Sequence, residues 1–327
     1  MSGLIENMFA QQLEERKLLL QAAASKANDP RQIKDLLADV DRALAKITAG
    51  SYGLCENCRE PIEPERLAFD PMTRYCLDHL SEIEQRALER DIDLARQIQN
   101  RLLPARDLVL RGWDSYFHYE PSGQVSGDYC DIIPIDNPAK SFYFIVGDVT
   151  GKGIAASLLM SQLHAMFRTL AGSGLSLSGL MDRINRLFCE ASLTTHFATL
   201  VCGLAHETGE IEISNAGHCL PLVIREEGIE RLFTSDLPLG VACETSYRAE
   251  TKKLRSGESL FIYTDGLTES AAQSGELYGD NRLMDLLNDV SSVPPMNLIE
   301  SCLDDLTRFS GESRKRDDLT LMALRKE

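Results

Sequence analysis

The sequence predicts an α+β chain, and three observations carry that reading. Residues 142–146 (Phe-Tyr-Phe-Ile-Val) form an unbroken run of aromatic and β-branched side chains, the pattern of a buried strand. The run stops at Gly147-Asp148 and a Gly151-Lys152-Gly153 turn, and residues 154–170 then place Leu158, Leu159, Leu163, Met166, Phe167 and Leu170 at helical spacing. The first 50 residues, by contrast, show helical patterns, and a pair of short metal-ligand motifs separates them from the rest.

The strand that ends at Asp148 is the chemical focus. A carboxylate at a strand end, with glycine backbone beside it, presents a hard ligand to a cation. The competing reading is a turn aspartate that caps the following helix. A phosphate-binding P-loop is set aside: the loop from Gly147 to Gly151-Lys152 is one residue short, and Gly153 stands where Ser or Thr should meet magnesium.

Composition narrows the function classes. At 327 residues there is room for about two domains. The 43% hydrophobic and 26% charged content is that of an ordinary soluble protein. No apolar run approaches the roughly 20 residues of a membrane span, and the N-terminus lacks a signal peptide's basic-then-apolar pattern, so a cytoplasmic protein with no membrane partner is expected. A net charge of −16 disfavours direct binding to nucleic acid or anionic lipid. Nine cysteines without an export signal are read as metal ligands and buried thiols rather than disulfides.

Residues 1–50 read as a helical hairpin. Ile5, Met8, Phe9, Leu13 and Leu20 line one helix, Asn28-Asp29-Pro30 breaks it, and Ile33, Leu36, Leu37, Val40, Leu44 and Ile47 line a second that Gly50 stops. The two helices pack on each other or on a second subunit. Residues 51–80 hold Cys55 and Cys58, then seventeen residues, then Cys76 and His79. Two such pairs on tight turns offer four ligands at tetrahedral corners, which suits one zinc ion; with no open position the zinc is structural. About thirty residues are too few to bury a core, so metal binding is expected to supply the folding energy.

The helix followed by Tyr52-Gly53-Leu54-Cys55-Glu56-Asn57-Cys58 and by residues 60–67 (Glu-Pro-Ile-Glu-Pro-Glu-Arg-Leu) resembles the DksA/TraR zinc-finger family over residues 30–82. That family usually ends in a fourth cysteine where this chain has His79, and imidazole still serves zinc. Members can act on RNA polymerase through a long coiled coil with an acidic tip, which the short hairpin here does not match.

Residues 81–104 read as a charged linker helix ended by Pro104. Leu88, Ile92, Ala95, Gln99 and Leu102 follow a 4-3-4-3 spacing, which fits a two-stranded seam or a single helix packed on the next domain. From about Asp107 strands alternate with helices: extended residues at 124–135, helices at 154–170 and 178–192, and strand-like runs at 197–204, 210–214, 220–224, 246–254 and 258–264. Helices near 280–288 and 296–309 lead to a last strand over 316–324.

Asp148, Asp265 and Asp317-Asp318 stand at strand ends, with Asp128 a fourth. Oxygen ligands without nearby histidine or cysteine favour Mg2+ or Mn2+ over zinc. Spacing alone leaves open whether they converge on one metal site or are separate turn and cap residues.

Residues 105–327 resemble the PPM-type (type 2C) protein serine/threonine phosphatases of the bacterial SpoIIE/RsbU branch. The resemblance rests on Ser126-Gly127-Asp128, residues 147–153 (Gly-Asp-Val-Thr-Gly-Lys-Gly), Asn215-Ala216-Gly217-His218, Pro238-Leu239-Gly240, residues 263–269 (Tyr-Thr-Asp-Gly-Leu-Thr-Glu) and Asp317-Asp318-Leu319-Thr320, in family order. Leu94-Ala95-Arg96-Gln97-Ile98-Gln99 with Leu102-Leu103-Pro104 resembles the branch's regulatory linker, which often forms dimers and switches the phosphatase. The resemblance implies an α-β-β-α sandwich with two Mn2+ or Mg2+ ions. Asp148 would bridge both, Asp265 and Asp317 would complete the first, the Val149 carbonyl would join Asp148 on the second, and Asp128 would hold metal-bound water. Asp318 would stand behind the ligands. A two-metal-activated hydroxide would then hydrolyse phosphoserine or phosphothreonine on a protein, in this branch an anti-sigma-factor antagonist, with the zinc module and linker helix as regulators and a homodimer through the linker.

Three positions depart or compete. Many eukaryotic relatives of the resembled class carry a histidine, a candidate general acid, two residues after the bridging aspartate, where Thr150 stands here, and His218 reads as a structural hydrogen-bonder before a general acid. Cys130 reads as a small core residue before a redox switch. The rival function is a zinc-finger protein that acts on RNA polymerase and keeps an inactive phosphatase fold as scaffold. A third reading is a phosphatase confined to small phosphoesters.

Overall fold

The computed structural model describes residues 3–24, 31–79, 82–105, 110–135, 141–192, 196–311 and 317–327. The chain divides into two compact units, the first ending at Asp91 and the second running from Ile92 to Glu327. No helix among the described residues is long and apolar enough to cross a membrane.

In the first unit, α1 (Gly3–Ala24) packs on α2 (Arg31–Thr48). The expected break at residues 28–30 lies outside the described residues. Gly50 and Ser51 close α2 by donating their amides to the Ile47 carbonyl (3.0 Å) and the Lys46 carbonyl (2.9 Å), a C-terminal cap that satisfies otherwise orphaned carbonyls. The finger adds a short helix α3 (Pro64–Phe69) and a 3-10 turn at Leu77–His79. Here the expectation of a coreless finger is corrected. Tyr52, Cys55, Ile62, Leu67 and Cys76 form one buried cluster with Phe9 and Leu13 of α1 and Val40 and Ala43 of α2. The finger is too small to bury a core alone, so it borrows the hairpin's apolar face.

The linker helix α4 (Glu82–Asn100) runs across the division at residue 91, and two 3-10 bonds (Arg101 to Ile98, Leu102 to Gln99) precede Pro104. In its second half Gln99 is buried whereas Leu94 and Ile98 are exposed, and Leu102, in the turn that follows, packs on the core of the second unit.

The second unit is a four-layer α-β-β-α sandwich. Its elements are β1 (Trp113–Glu120), β2 (Asp128–Ile135), β3 (Ser141–Val149), α5 (Ile154–Leu170), α6 (Leu177–Ala191), β4 (Ala198–His206), β5 (Glu210–Ala216), β6 (Leu222–Arg225), β7 (Gly228–Arg231), β8 (Glu250–Lys253), β9 (Ser259–Tyr263), α7 (Asp265–Thr268), α8 (Gly279–Asp289), α9 (Pro295–Ser310) and β10 (Leu319–Lys326). One antiparallel sheet has the order β1-β10-β9-β6-β7 and the other β2-β3-β4-β5-β8. Strands thus come in runs rather than alternating singly with helices, since antiparallel neighbours need only short turns.

Three apolar layers result. Phe142, Phe144 and Val146 of β3 join Ile262, Met322 and Leu324 between the sheets. Tyr143 and Ile145, on the opposite face, meet Met160, Leu163 and Phe167 of α5 and Leu180 and Ile184 of α6. Phe261, Tyr263, Leu321 and Ala323 meet α8 and α9 through Leu283, Leu287, Leu298 and Ile299. Burial on both faces is why β3 reads as a continuous apolar run instead of an alternating one. The buried Asp131 on β2 is neutralised by Arg168 of α5, whose Nε and Nη2 donate at 2.8 and 2.6 Å.

The reading of the cysteines also needs correction, because Cys189 and Cys243 are joined as a disulfide, their Cα atoms 5.9 Å apart. Asn185 on α6 explains the approach: its Nδ2 donates to the carbonyls of Ala242 (2.9 Å) and Cys243 (3.3 Å), and its Oδ1 accepts from the Gly240 amide (2.9 Å). A pairing across 54 residues leaves no local signal. Cys130, Cys202 and Cys302 are buried free thiols.

Candidate metal centres

In the first unit the ligand atoms of Cys55, Cys58, Cys76 and His79 all lie within 4.8 Å of one another. Cys58 Sγ is 3.7 Å from Cys76 Sγ, and Cys76 Sγ is 3.2 Å from His79 Nδ1. Local turns bring them there. The Cys55 amide donates to the Glu60 carbonyl (2.9 Å), the Arg59 amide returns to Cys55 (3.0 Å), and the His79 amide closes on Cys76 (3.0 Å). Burial raises the Cys55 thiol, but the amides of Cys58, Cys76 and Asn57 aimed at its sulfur outweigh that and bring it down to about 6. Cys76 is pushed up to about 11, first by burial and then by the Cys55 and Cys58 sulfurs. One ready thiolate among crowded soft donors is the chemistry of a zinc site.

The second centre is built from strand ends of two sheets. Asp128 and Asp148 stand directly opposite each other on β2 and β3, and Thr199 of β4 lies opposite Asp148. Alternation puts Asp148 on the same face as Phe144 and Val146. In the other sheet Asp265 opens α7 just after β9, and Asp317 just precedes β10. The Thr264 amide donates to the Thr320 carbonyl (3.0 Å) and holds those two ends together.

The acids lie close enough for their charges to act on one another. Burial, then the charges of Asp265 and Asp317, push the Asp148 carboxyl up to about 7. Asp265 is raised by burial and by Asp317. Lys152, with Nζ 2.9 Å from Asp317 Oδ1, partly offsets this crowding. Mutually repelling, half-buried carboxylates fit divalent cations, and an all-oxygen donor set fits Mg2+ or Mn2+. Gly127 keeps the place open: a Cβ there would sit 2.8 Å from the Val149 carbonyl oxygen and 3.3 Å from Asp148 Oδ1. Among the described residues the Cys-His quartet is nevertheless the group whose ligand atoms are drawn fully together; the aspartates are not gathered so tightly.

Asp128 is 1% exposed, and its Oδ2 accepts from the hydroxyls of Thr264 (3.1 Å) and Thr320, so it ties the two sheets together. Asp318 spends its carboxylate on the loop before β2, accepting from the Ser122 amide (2.6 Å), Ser126 Oγ (2.7 Å) and the Gly127 amide (2.9 Å). Gln99 grips the same loop from α4: its Nε2 donates to the Ser126 carbonyl (2.7 Å) and its Oε1 accepts from the Ser126 amide (3.0 Å). Thr150 Oγ1 accepts from the Phe197 amide (3.0 Å) and donates to the Phe197 carbonyl (2.9 Å). His218 is buried with Nδ1 2.9 Å from Thr199 Oγ1, and burial brings its imidazole down to about 4. The parts played by Gln99, Thr264, Thr320 and Lys152 were not legible in the sequence, although both threonines and the lysine lie inside the motifs that mark the site.

Two antiparallel sheets between helical layers are also the fold of solved PP2C phosphatase domains. The solved SiaA-PP2C domain of Pseudomonas aeruginosa shares the fold, with TM-score 0.64 and 21% identity over 75% of this chain and 99% of that one. Residues 138–327, more than half of the chain, match the Stage II sporulation protein E (SpoIIE) family, and the chain belongs to that family. Residues 50–78 match the prokaryotic dksA/traR C4-type zinc finger, a match that stops one residue before His79.

Among curated relatives, Protein IcfG of Synechocystis is 26% identical over 72% of this chain, which spans 41% of that protein. Phosphoserine phosphatase RsbU of Bacillus subtilis is 23% identical over 74% of this chain and 72% of its own length.

Proposed function

We propose that the chain is a metal-dependent protein phosphatase that hydrolyses phosphoserine or phosphothreonine on a protein substrate, an anti-sigma-factor antagonist as the sequence resemblance implies; its relative RsbU, a phosphoserine phosphatase, supports the reaction class. The reading is supported by a SpoIIE-family chain in which Asp148 and Asp265 lie near enough to Asp317 for its charge to raise their carboxyls, with the Lys152 ammonium 2.9 Å from Asp317. Asp148, Asp265, Asp317 and the Val149 carbonyl would hold the cations, with Asp128 fixed behind them by Thr264 and Thr320. When bound, two divalent cations supply a deprotonated water at neutral pH and neutralise phosphoryl charge. The protein's own part is positional: Asp318 and Gln99 fix the loop that delivers Asp128, and Gly127 leaves the Val149 carbonyl uncovered. Thr150 is committed to Phe197 and leaves the leaving-group proton to another donor. The zinc module and α4 serve as regulators; of the seam positions read in the sequence, Gln99 and Leu102 are spent on the second unit, which supports a packed helix at that end, and Leu88 is left exposed for a homodimer contact.

The test is phosphate release from a phosphoserine peptide by the full chain with Mn2+ or Mg2+ against chelator, beside Asp148→Asn. Metal-dependent turnover that falls by roughly 10³-fold in the variant, the factor that several kcal/mol represents, supports the reading. Wild-type protein that loads metal yet releases no phosphate overturns it in favour of a zinc-finger binding protein on an inactive scaffold.

A further inference from the structure

Lys152 is the residue of the Gly147–Gly153 motif for which the metal ligands leave no role. It sits at the tip of the loop between β3 and α5, flanked by Gly151 at φ +97° and Gly153 at φ +76°. A Cβ on either glycine would meet nothing within 4 Å. Their place is therefore set by backbone conformation, which L side chains rarely adopt, and not by crowding. The base of the loop is fixed, because Thr150 is bonded in both directions to Phe197 and also donates its amide to that carbonyl (2.9 Å). A fixed base and an open two-glycine tip give the lysine reach. Its ammonium lies 2.9 Å from Asp317 Oδ1 with the side chain 55% exposed, and its charge also acts on Asp148 and Asp265. The positive end of the α5 dipole begins two residues later, at Ile154.

Resting on the phosphatase reading, we infer that Lys152 is the substrate's phosphoryl-binding residue, held on Asp317 while the acid cluster lacks cations and handed to the phosphate when they are present. The exchange follows from charge. Without metal the cluster is an excess of carboxylate and the nearest ammonium belongs on it. Once divalent cations neutralise Asp317, the lysine gains nothing there, while a phosphoserine brings a charge of about −1.5 to −2 to the same place. Lysine suits the task, since it is a compact point charge on a flexible four-carbon stem and binds phosphate without a fixed approach angle. Asp317 thus has two successive partners, and Lys152 confers affinity for the phosphoryl group instead of chemistry on it.

The experiment compares wild type, Lys152→Gln and Lys152→Arg as full chains. Calorimetry with inorganic phosphate on Mg2+-loaded protein reads binding without turnover, and steady-state kinetics on a phosphoserine peptide separate KM from kcat. In Lys152→Gln, phosphate affinity is expected to fall and KM to rise by about tenfold, with kcat within about threefold and Lys152→Arg recovering most of the loss. Mg2+ itself should bind Lys152→Gln as tightly as wild type or more tightly, because Asp317 no longer has a competing partner. Unchanged phosphate affinity and KM beside normal wild-type turnover overturns the inference and leaves the phosphatase reading intact. A wild type that binds phosphate through Lys152 yet never turns over does the reverse. A drop in kcat alone, or weaker Mg2+ binding, also overturns it by making Lys152 a support for the ligands.

Discussion

The two candidate centres solve the same problem, gathering charged or ionisable ligands, in opposite ways. The Cys-His quartet comes from two short turns 17 residues apart, and its donor atoms are already within 4.8 Å of each other. Backbone amides around Cys55 stabilise the thiolate that zinc needs. The aspartate centre takes its ligands from four separate strand ends, and its carboxylates repel each other, with Lys152 as partial relief. One site is assembled by local backbone and left for a metal to complete; the other is imposed by a large sandwich that folds around it. The lesson is that a metal would stabilise the fold where the surrounding core is small, and would be free for chemistry where the core is large enough to hold like charges together.

The largest expected effect breaks this contrast or upholds it outright. Purified chain should carry one zinc that Cys55→Ser abolishes, with the first unit becoming protease-sensitive. Trp113, the single tryptophan, lies in the second unit and should report the same unfolding midpoint in wild type and variant. Stripping Mg2+ or Mn2+ from the second unit should leave its unfolding cooperative. A chain without zinc as purified, or a second unit that melts on chelation, would erase the difference between the two sites.

What was legible follows the same division. The zinc ligands, the stop at Gly50 and the α5 boundaries rest on signals within a few residues, and each could be read directly. The aspartates could be named as strand-end residues, but their convergence depends on how β2 and β3 stack against β9 and β10, which only family resemblance supplied. Strand β1 escaped notice because its half-buried Tyr116, His118 and Tyr119 blur the alternation that marks a strand. The Cys189–Cys243 pair and the core shared by finger and hairpin are products of tertiary packing, with no short-range trace.

A smaller effect compares the histidines of the two units. His79 is a candidate ligand on a 3-10 turn, while His218 is a buried neutral imidazole bonded to Thr199. With its folded value near 4, below the ordinary 6.5, His218 binds its proton less readily in the folded state than in the unfolded one. Stability is therefore fully present above pH 6.5 and is lost as pH falls toward 4, by roughly 3 kcal/mol. Urea unfolding of the second unit, followed by Trp113 at pH 7, 5.5 and 4.5, should show this slope in wild type and a flatter one in His218→Gln. Equal slopes would mean that His218 is not desolvated and that the Thr199 bond is made in contact with water.

The smallest effect concerns what joins finger to hairpin apart from the shared core. Glu56, beside the candidate ligand Cys55, accepts from Arg74 Nε at 3.0 Å and pairs with Lys46 of α2 at 3.0 Å. Hydrogen bonding to Arg74, then to Lys46, holds its carboxyl down at about 2 against the opposing pull of burial. A depressed acid contributes stability above its unfolded value of about 4.5 that is lost as pH falls toward 2. Its side chain is 23% exposed and Arg74 is 40% exposed, so solvent screening reduces the contribution to about 1 kcal/mol. Glu56→Gln in zinc-loaded chain at pH 7 should lower the first unit's denaturation midpoint by that small amount at low salt, and the deficit should shrink in 1 M salt as screening shortens to roughly 3 Å. An undiminished deficit at high salt would show that Glu56 acts by packing, and no deficit at all would leave the apolar cluster of Phe9, Leu13, Val40 and Tyr52 as the tie between the two parts.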